Sequence, residues 1–185
     1  MILENALKQG SKFLKINNIN SYELDAQIIL SNILKVTKEY LILNNYIDVS
    51  EKIIKKYNYA LKRRANREPI AYITGSKEFW SQNFMVNYST LVPRPETELL
   101  IYKLVNFFKN KKINVLDIGT GSGCILLSIL KELDLSKGIG IDISSKAIFT
   151  AIKNADKLNL LCRSKFKVFD INEFNFGKYD LIVSN

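Results

Sequence analysis

The sequence contains no histidine among its 185 residues. Within this chain, that excludes an imidazole general base and any histidine-containing zinc site. Cysteine is nearly as scarce. Cys124 and Cys162 are the only two, spaced neither as a CxxC pair nor as metal ligands, and both are expected to be reduced, buried thiols. Proline occurs three times and tryptophan once. No run of about 18 uncharged apolar residues is present, so no membrane span is predicted. The first residues lack the basic start, apolar stretch and cleavage site of an export signal, which leads to a cytoplasmic expectation.

The composition that remains, 47% apolar and 24% charged, is that of a globular chain with a buried core. The 27 basic and 18 acidic residues give a net charge of +9. Such a charge suits an acidic or nucleic-acid partner. However, the lysines are spread evenly and form no stripe with interleaved aromatics, so nucleic acid is not expected as a direct substrate.

Three kinds of pattern follow one another along the chain. Up to about Asn66, apolar residues recur at three- and four-residue intervals: Leu3, Leu7, Phe13 and Leu14; Leu24, Ile28, Ile29 and Ile33; Ile53, Ile54, Tyr57 and Leu61. This spacing predicts successive amphipathic helices, with Ser21 and Ser50 placed as N-caps and Asn17-Asn18 and Asn44-Asn45 at helix ends. Lys62, Arg63, Arg64 and Arg67 read as a solvated face of the last of these helices, which Pro69 stops. Next, Glu78-Phe79-Trp80 and Phe84-Met85-Val86 flank Ser81-Gln82-Asn83 and predict a β-hairpin linker, with Trp80 as a core aromatic. Pro93-Arg94-Pro95 then leads into a helix over Glu96 to Asn110.

From Ile113 onward, short apolar runs alternate with helical patterns. Strands are expected at Asn114 to Ile118, Gly138 to Ile143, Lys165 to Phe169 and Tyr179 to Ser184, with helices at Cys124 to Leu133 and Ser145 to Leu158. Alternation of this kind builds a parallel sheet. Four strands are few for an open doubly wound sheet, so the domain reads as incomplete at its C-terminus, with apolar faces that favour aggregation.

The chemistry concentrates at Val115-Leu116-Asp117-Ile118-Gly119-Thr120-Gly121-Ser122-Gly123, a strand running into a glycine-rich turn and then a helix. Glycines there let a ligand approach the backbone, and the following helix presents free N–H groups. A dinucleotide fingerprint would require glycine where Cys124 stands, which weakens a nicotinamide reading without abolishing it. Asp142 ends the next strand, placed to accept hydrogen bonds from both hydroxyls of a ribose; its alternative is a helix cap. Asp170 ends the third strand on the same edge, as a neighbour of an adenine or as a local cap.

Five segments, in order and spacing, are similar to the HemK/PrmC family of S-adenosylmethionine-dependent methyltransferases. They are Arg67-Glu68-Pro69-Ile70-Ala71-Tyr72-Ile73-Thr74-Gly75; Glu78-Phe79-Trp80; Val92-Pro93-Arg94-Pro95-Glu96-Thr97-Glu98-Leu99-Leu100; Leu116 to Gly123; and Asp180-Leu181-Ile182-Val183-Ser184-Asn185. The resemblance covers essentially the whole chain. It implies a fold of class α/β: a helical substrate-recognition domain over residues 1–74, a β-hairpin linker over 75–92, and a partial Rossmann-like methyltransferase domain over 93–185.

The implied activity is methylation of the glutamine side-chain amide in the Gly-Gly-Gln loop of class I peptide release factors. The implied cofactor, S-adenosyl-L-methionine, would be held by Gly119, Thr120, Gly121, Ser122 and Gly123 along its methionine and ribose parts. Asp142 would take the ribose hydroxyls and Ile171 would lie beside the adenine. Asn185 matches the first residue of the family's Asn-Pro-Pro-Tyr motif and would grip the substrate amide. Arg94, Glu96 and Thr97 would either shape a cofactor lid or simply start a helix. Alternatives are a methyltransferase acting on another protein or on a nucleic-acid base, a non-catalytic remnant that only binds cofactor or partner, and a nicotinamide oxidoreductase.

Overall fold

The computed structural model describes residues 1–173 and 177–185 and divides into two compact units, Met1–Thr74 and Gly75–Asn185. The first unit is helical: α1 (Leu3–Ile16), α2 (Tyr22–Leu34), α3 (Lys38–Leu43), α4 (Glu51–Ala65) and α5 (Ile70–Thr74). Leu3, Leu14, Ile29, Leu30, Leu41, Tyr57 and Leu61 fill its core, drawn from four of the five helices. The Tyr57 hydroxyl donates to the Ala26 carbonyl at 3.2 Å, which gives this buried phenol a partner.

Three local expectations are corrected in this unit. Ser21 and Ser50 sit at N-cap positions but make no side-chain cap bond, whereas Thr37 caps α3 by accepting from the Tyr40 N–H. Pro69 does not stop the preceding helix; Asn66 ends α4, Arg67 turns the chain with φ +67°, and Pro69 leads into α5. In the basic run Lys62 and Arg67 are exposed as expected, but Arg63 and Arg64 are half-buried. Arg63 forms an ion pair with Glu68, and Arg64 Nε donates to Asp25 Oδ2 at 2.6 Å. Asp25 is buried and also accepts from the Ser21 hydroxyl at 2.7 Å, so its charge is compensated twice.

The second unit opens with a hairpin, β1 (Ser76–Phe79) and β2 (Gln82–Met85), followed by α6 (Thr97–Phe107). Phe79 pairs with Gln82, so the turn is Trp80-Ser81 and not Ser81-Gln82-Asn83. Both residues have positive φ, +50° and +53°, the conformation a two-residue hairpin loop needs to match strand twist. Tryptophan seldom adopts it. Trp80 is held there because its backbone N–H donates to Glu98 Oε1 and its indole N–H to Glu132 Oε1, each at 2.8 Å.

The remainder alternates β3 (Asn114–Ile118), α7 (Cys124–Glu132), β4 (Lys137–Asp142), α8 (Ser145–Lys157), β5 (Ser164–Val168), a 3₁₀ turn (Ile171–Glu173) and β6 (Leu181–Ser184). The sheet is parallel, in the order β5-β4-β3-β6. Every residue of α7 from Ile125 to Leu130 is buried, which explains its nearly unbroken apolar run. Successive strands step from β3 to β4 to β5, and then β6 returns to the opposite side of β3. The strand order therefore reverses at β3, and open α/β sheets bind ligands outside the carboxyl ends of strands at such a point.

Candidate functional site

The register sets which residues share that carboxyl edge. Ile118 pairs with both Ile141 and Ser184, and Asp142 with Val168, so the glycine turn, Asp142, the Phe169–Ile171 segment and Asn185 leave the sheet side by side. The structure thus places Gly119 to Gly123, Asp142, Asp170, Ile171 and Asn185 along one edge of the sheet. Ser184 reinforces the edge by donating its hydroxyl to the Ile118 carbonyl at 3.1 Å.

The turn is built on left-handed backbone: φ is +69° at Gly119, +55° at Gly121 and +77° at Gly123. A Cβ at Gly119 would meet nothing within 4 Å, so the space above the turn is open. At Gly123 it would lie 3.2 Å from both Ala151 Cβ and Leu127 Cδ1, so glycine there is fixed by packing as well as by φ. The turn is open at Gly119 and packed from behind at Gly123. That shape accepts an extended ligand against bare backbone.

Asp142 braces the turn and remains partly open. Its Oδ2 accepts the Gly121 N–H at 3.0 Å and its Oδ1 the Ser144 N–H at 2.9 Å. Each carboxylate oxygen has about two lone-pair positions, so one on each remains for a pair of ligand hydroxyls. The helix cap belongs instead to Ser144, whose hydroxyl accepts from Ala147. Asp170 turns inward on its own segment, accepting from the backbone and side-chain N–H groups of Asn172, both at 2.9 Å. Ile171, the next residue, is exposed, as is Asn185. Cys162 is also exposed, contrary to expectation, while burial pushes the thiol of Cys124 up to about 11. Arg94 and Glu96 are solvent-facing, and the carbonyl of Arg94 accepts the Thr97 N–H at the start of α6.

Two residues with no role assigned from sequence contribute here. Asp117 is fully buried in β3 and accepts the Thr120 hydroxyl at 2.7 Å; burial pushes its carboxyl up to about 7, and the charge of Asp142 adds to the rise. Asn154 is buried on α8, on the same face as Ala147 and Ala151. Its only signal was an amide on a buried stripe of small and apolar residues that also holds Thr150.

An S-adenosylmethionine molecule fits this donor set: an open glycine turn for the amino-acid and ribose portions, and an acid with free lone pairs for the diol. The switch-point sheet, the glycine turn after its first strand and the acid ending the next make a Rossmann-like domain of the S-adenosylmethionine-dependent methyltransferase type. Residues 109–185 match the methyltransferase-domain family model, and residues 5–75 match the PrmC N-terminal domain. The chain thus joins a PrmC N-terminal domain to a methyltransferase domain. It is 39% identical over 181 residues, 97% of its length, to a release factor glutamine methyltransferase of Buchnera aphidicola subsp. Schizaphis graminum, and 38% identical to a bifunctional methyltransferase of Rickettsia typhi. It spans 64% of the first relative and 39% of the second. Among solved structures, a ribosomal protein L11 methylase from Lactobacillus delbrueckii subsp. bulgaricus superimposes on 49% of this chain and 46% of its own, with 27% identity and a TM-score of 0.42.

Proposed function

We propose that this protein methylates the side-chain amide nitrogen of the glutamine in the Gly-Gly-Gln loop of class I peptide release factors, using S-adenosyl-L-methionine. The observation that carries the reading is the presence in one chain of a PrmC N-terminal domain and an open, acid-braced glycine turn. Gly119 to Gly123 hold the methionine and ribose parts of the cofactor, Asp142 takes the ribose hydroxyls, and Ile171 packs beside the adenine. The bound cofactor supplies a methyl group activated by its sulfonium.

An amide nitrogen is a poor nucleophile because its lone pair is delocalised into the carbonyl. The protein's task is therefore to position that nitrogen, and no histidine is needed to ionise it. The Asn185 carbonyl accepts one amide proton of the substrate glutamine and so fixes the direction of the nitrogen. The helical unit, residues 1–74, recognises the release factor, and the protein works in the cytoplasm, where translation terminates. No described helix is long and apolar enough to cross a membrane.

The test combines calorimetry with S-adenosylmethionine and mass spectrometry of a release factor incubated with the protein and cofactor. Cofactor binding together with one added methyl group on the Gly-Gly-Gln glutamine is the expected result. Binding with methyl transfer to another residue would overturn the substrate assignment, and absence of binding would overturn the cofactor assignment.

A further inference from the structure

The carboxamide of Asn154 uses three of its hydrogen-bonding positions on two separate segments of the second unit. Its Oδ1 accepts the Met85 N–H at 2.7 Å, and its Nδ2 donates to the Met85 carbonyl at 3.0 Å and to the Ser122 carbonyl at 2.8 Å. Met85 ends the second hairpin strand, and Ser122 lies inside the glycine turn. One buried amide thus treats Met85 as a strand partner would and holds the back of the turn with its remaining N–H. The neighbouring shelf of α8 supports the same segment, since Ala151 lies where any side chain at Gly123 would go.

The hairpin meets this helix elsewhere without touching the turn. Asn87 Nδ2 donates to Thr150 Oγ1 at 2.9 Å, and Lys157 Nζ donates to the Asn83 carbonyl at 2.7 Å. Asn154 is therefore where hairpin docking and turn geometry share a side chain. No other residue type reproduces the arrangement: aspartate lacks both donors, leucine lacks every polar atom, and glutamine displaces the amide by one methylene.

We infer that Asn154 is a positioning residue for the cofactor turn, and that through Met85 it makes the docked hairpin part of the cofactor site. The inference rests on the cofactor reading proposed above. Removing the amide leaves the buried Ser122 carbonyl and both part-buried Met85 backbone groups without this partner, so the turn relaxes and affinity falls. Coupling between sites is reciprocal, so cofactor bound at the turn must in turn tighten the hairpin.

The experiment uses the whole chain and S-adenosylhomocysteine as probe. In the unaltered protein, the probe should slow hydrogen exchange at the Met85 amide, which needs no variant to fold. In calorimetry, Asn154→Ala should weaken probe binding by about tenfold or more, the scale of one buried carbonyl left unpaired. Thr150→Val, which removes the Asn87 link and the bond from the Thr150 hydroxyl to the Lys146 carbonyl, should stay within about twofold, because neither bond reaches the turn. Unchanged exchange at Met85, or an Asn154→Ala affinity no weaker than that of Thr150→Val, would overturn the inference and leave the cofactor reading intact. No binding by the unaltered protein would overturn the cofactor reading and this inference with it.

Discussion

Asp117 stands in β3 just before the glycine turn, with its carboxyl buried and raised from 3.8 to about 7. Because its folded value lies above the unfolded one, the folded state binds more protons between those limits. Stability is therefore greatest below about pH 4 for this group and is lost as pH rises towards 7, by up to ~1.4 kcal/mol per pH unit. Asp117→Asn should flatten that dependence. The difference in melting temperature, variant minus parent, is expected to be more positive at pH 8 than at pH 4, and an equal difference at both would show that the carboxyl is not raised. In the sequence this acid stands inside the glycine motif with nothing to mark its role. Burial is a property of the whole sheet, and nothing in the local string separates a solvated aspartate from one under α7. For Gly119, Asp142 and Asn185 the string was enough, because their places depend only on where a strand ends.

The elements were legible to different degrees for one physical reason. Strand β3 was read residue for residue and β4, β5 and both flanking helices to within a residue or two, because alternating strands and helices leave short apolar runs with clear ends. Helix α5 and the Trp80-Ser81 turn were not. The first begins at a proline read as a stop, and the second uses residues that reach positive φ only with help from Glu98 and Glu132. Arg64 was misread for a similar reason, since its partner Asp25 lies 39 positions away in α2. This ion pair ties the start of α2 to the end of α4. Removing one partner strands the other in a largely buried setting, so Asp25→Ala or Arg64→Ala alone should cost about 3 kcal/mol. In the Arg64→Ala background, Asp25→Ala should cost clearly less, and urea melts of the four proteins measure that coupling. Additive losses would mean that the pair acts as two solvated charges.

At the scale of the molecule, the helical unit holds a core of its own, closed by Leu14, Leu30, Leu41 and Tyr57, each almost wholly shielded from solvent. Residues 1–74 expressed alone are expected to keep their helical circular dichroism and melt cooperatively. A gradual, non-cooperative melt would show that this core depends on the second unit. If the proposed division of labour holds, residues 75–185 should retain nearly full cofactor affinity while losing affinity for release factor, and parallel loss of both would contradict it.

Trp80 is the only indole in the chain. It lies in the second unit, between two carboxylates that accept from its backbone and its ring. Near-ultraviolet excitation selective for indole therefore sees a single place in the protein, the tip of the hairpin, while the helical unit stays dark apart from its tyrosines. The emission maximum and anisotropy of this one fluorophore follow docking of the hairpin in real time, without a label and without contribution from the rest of the fold.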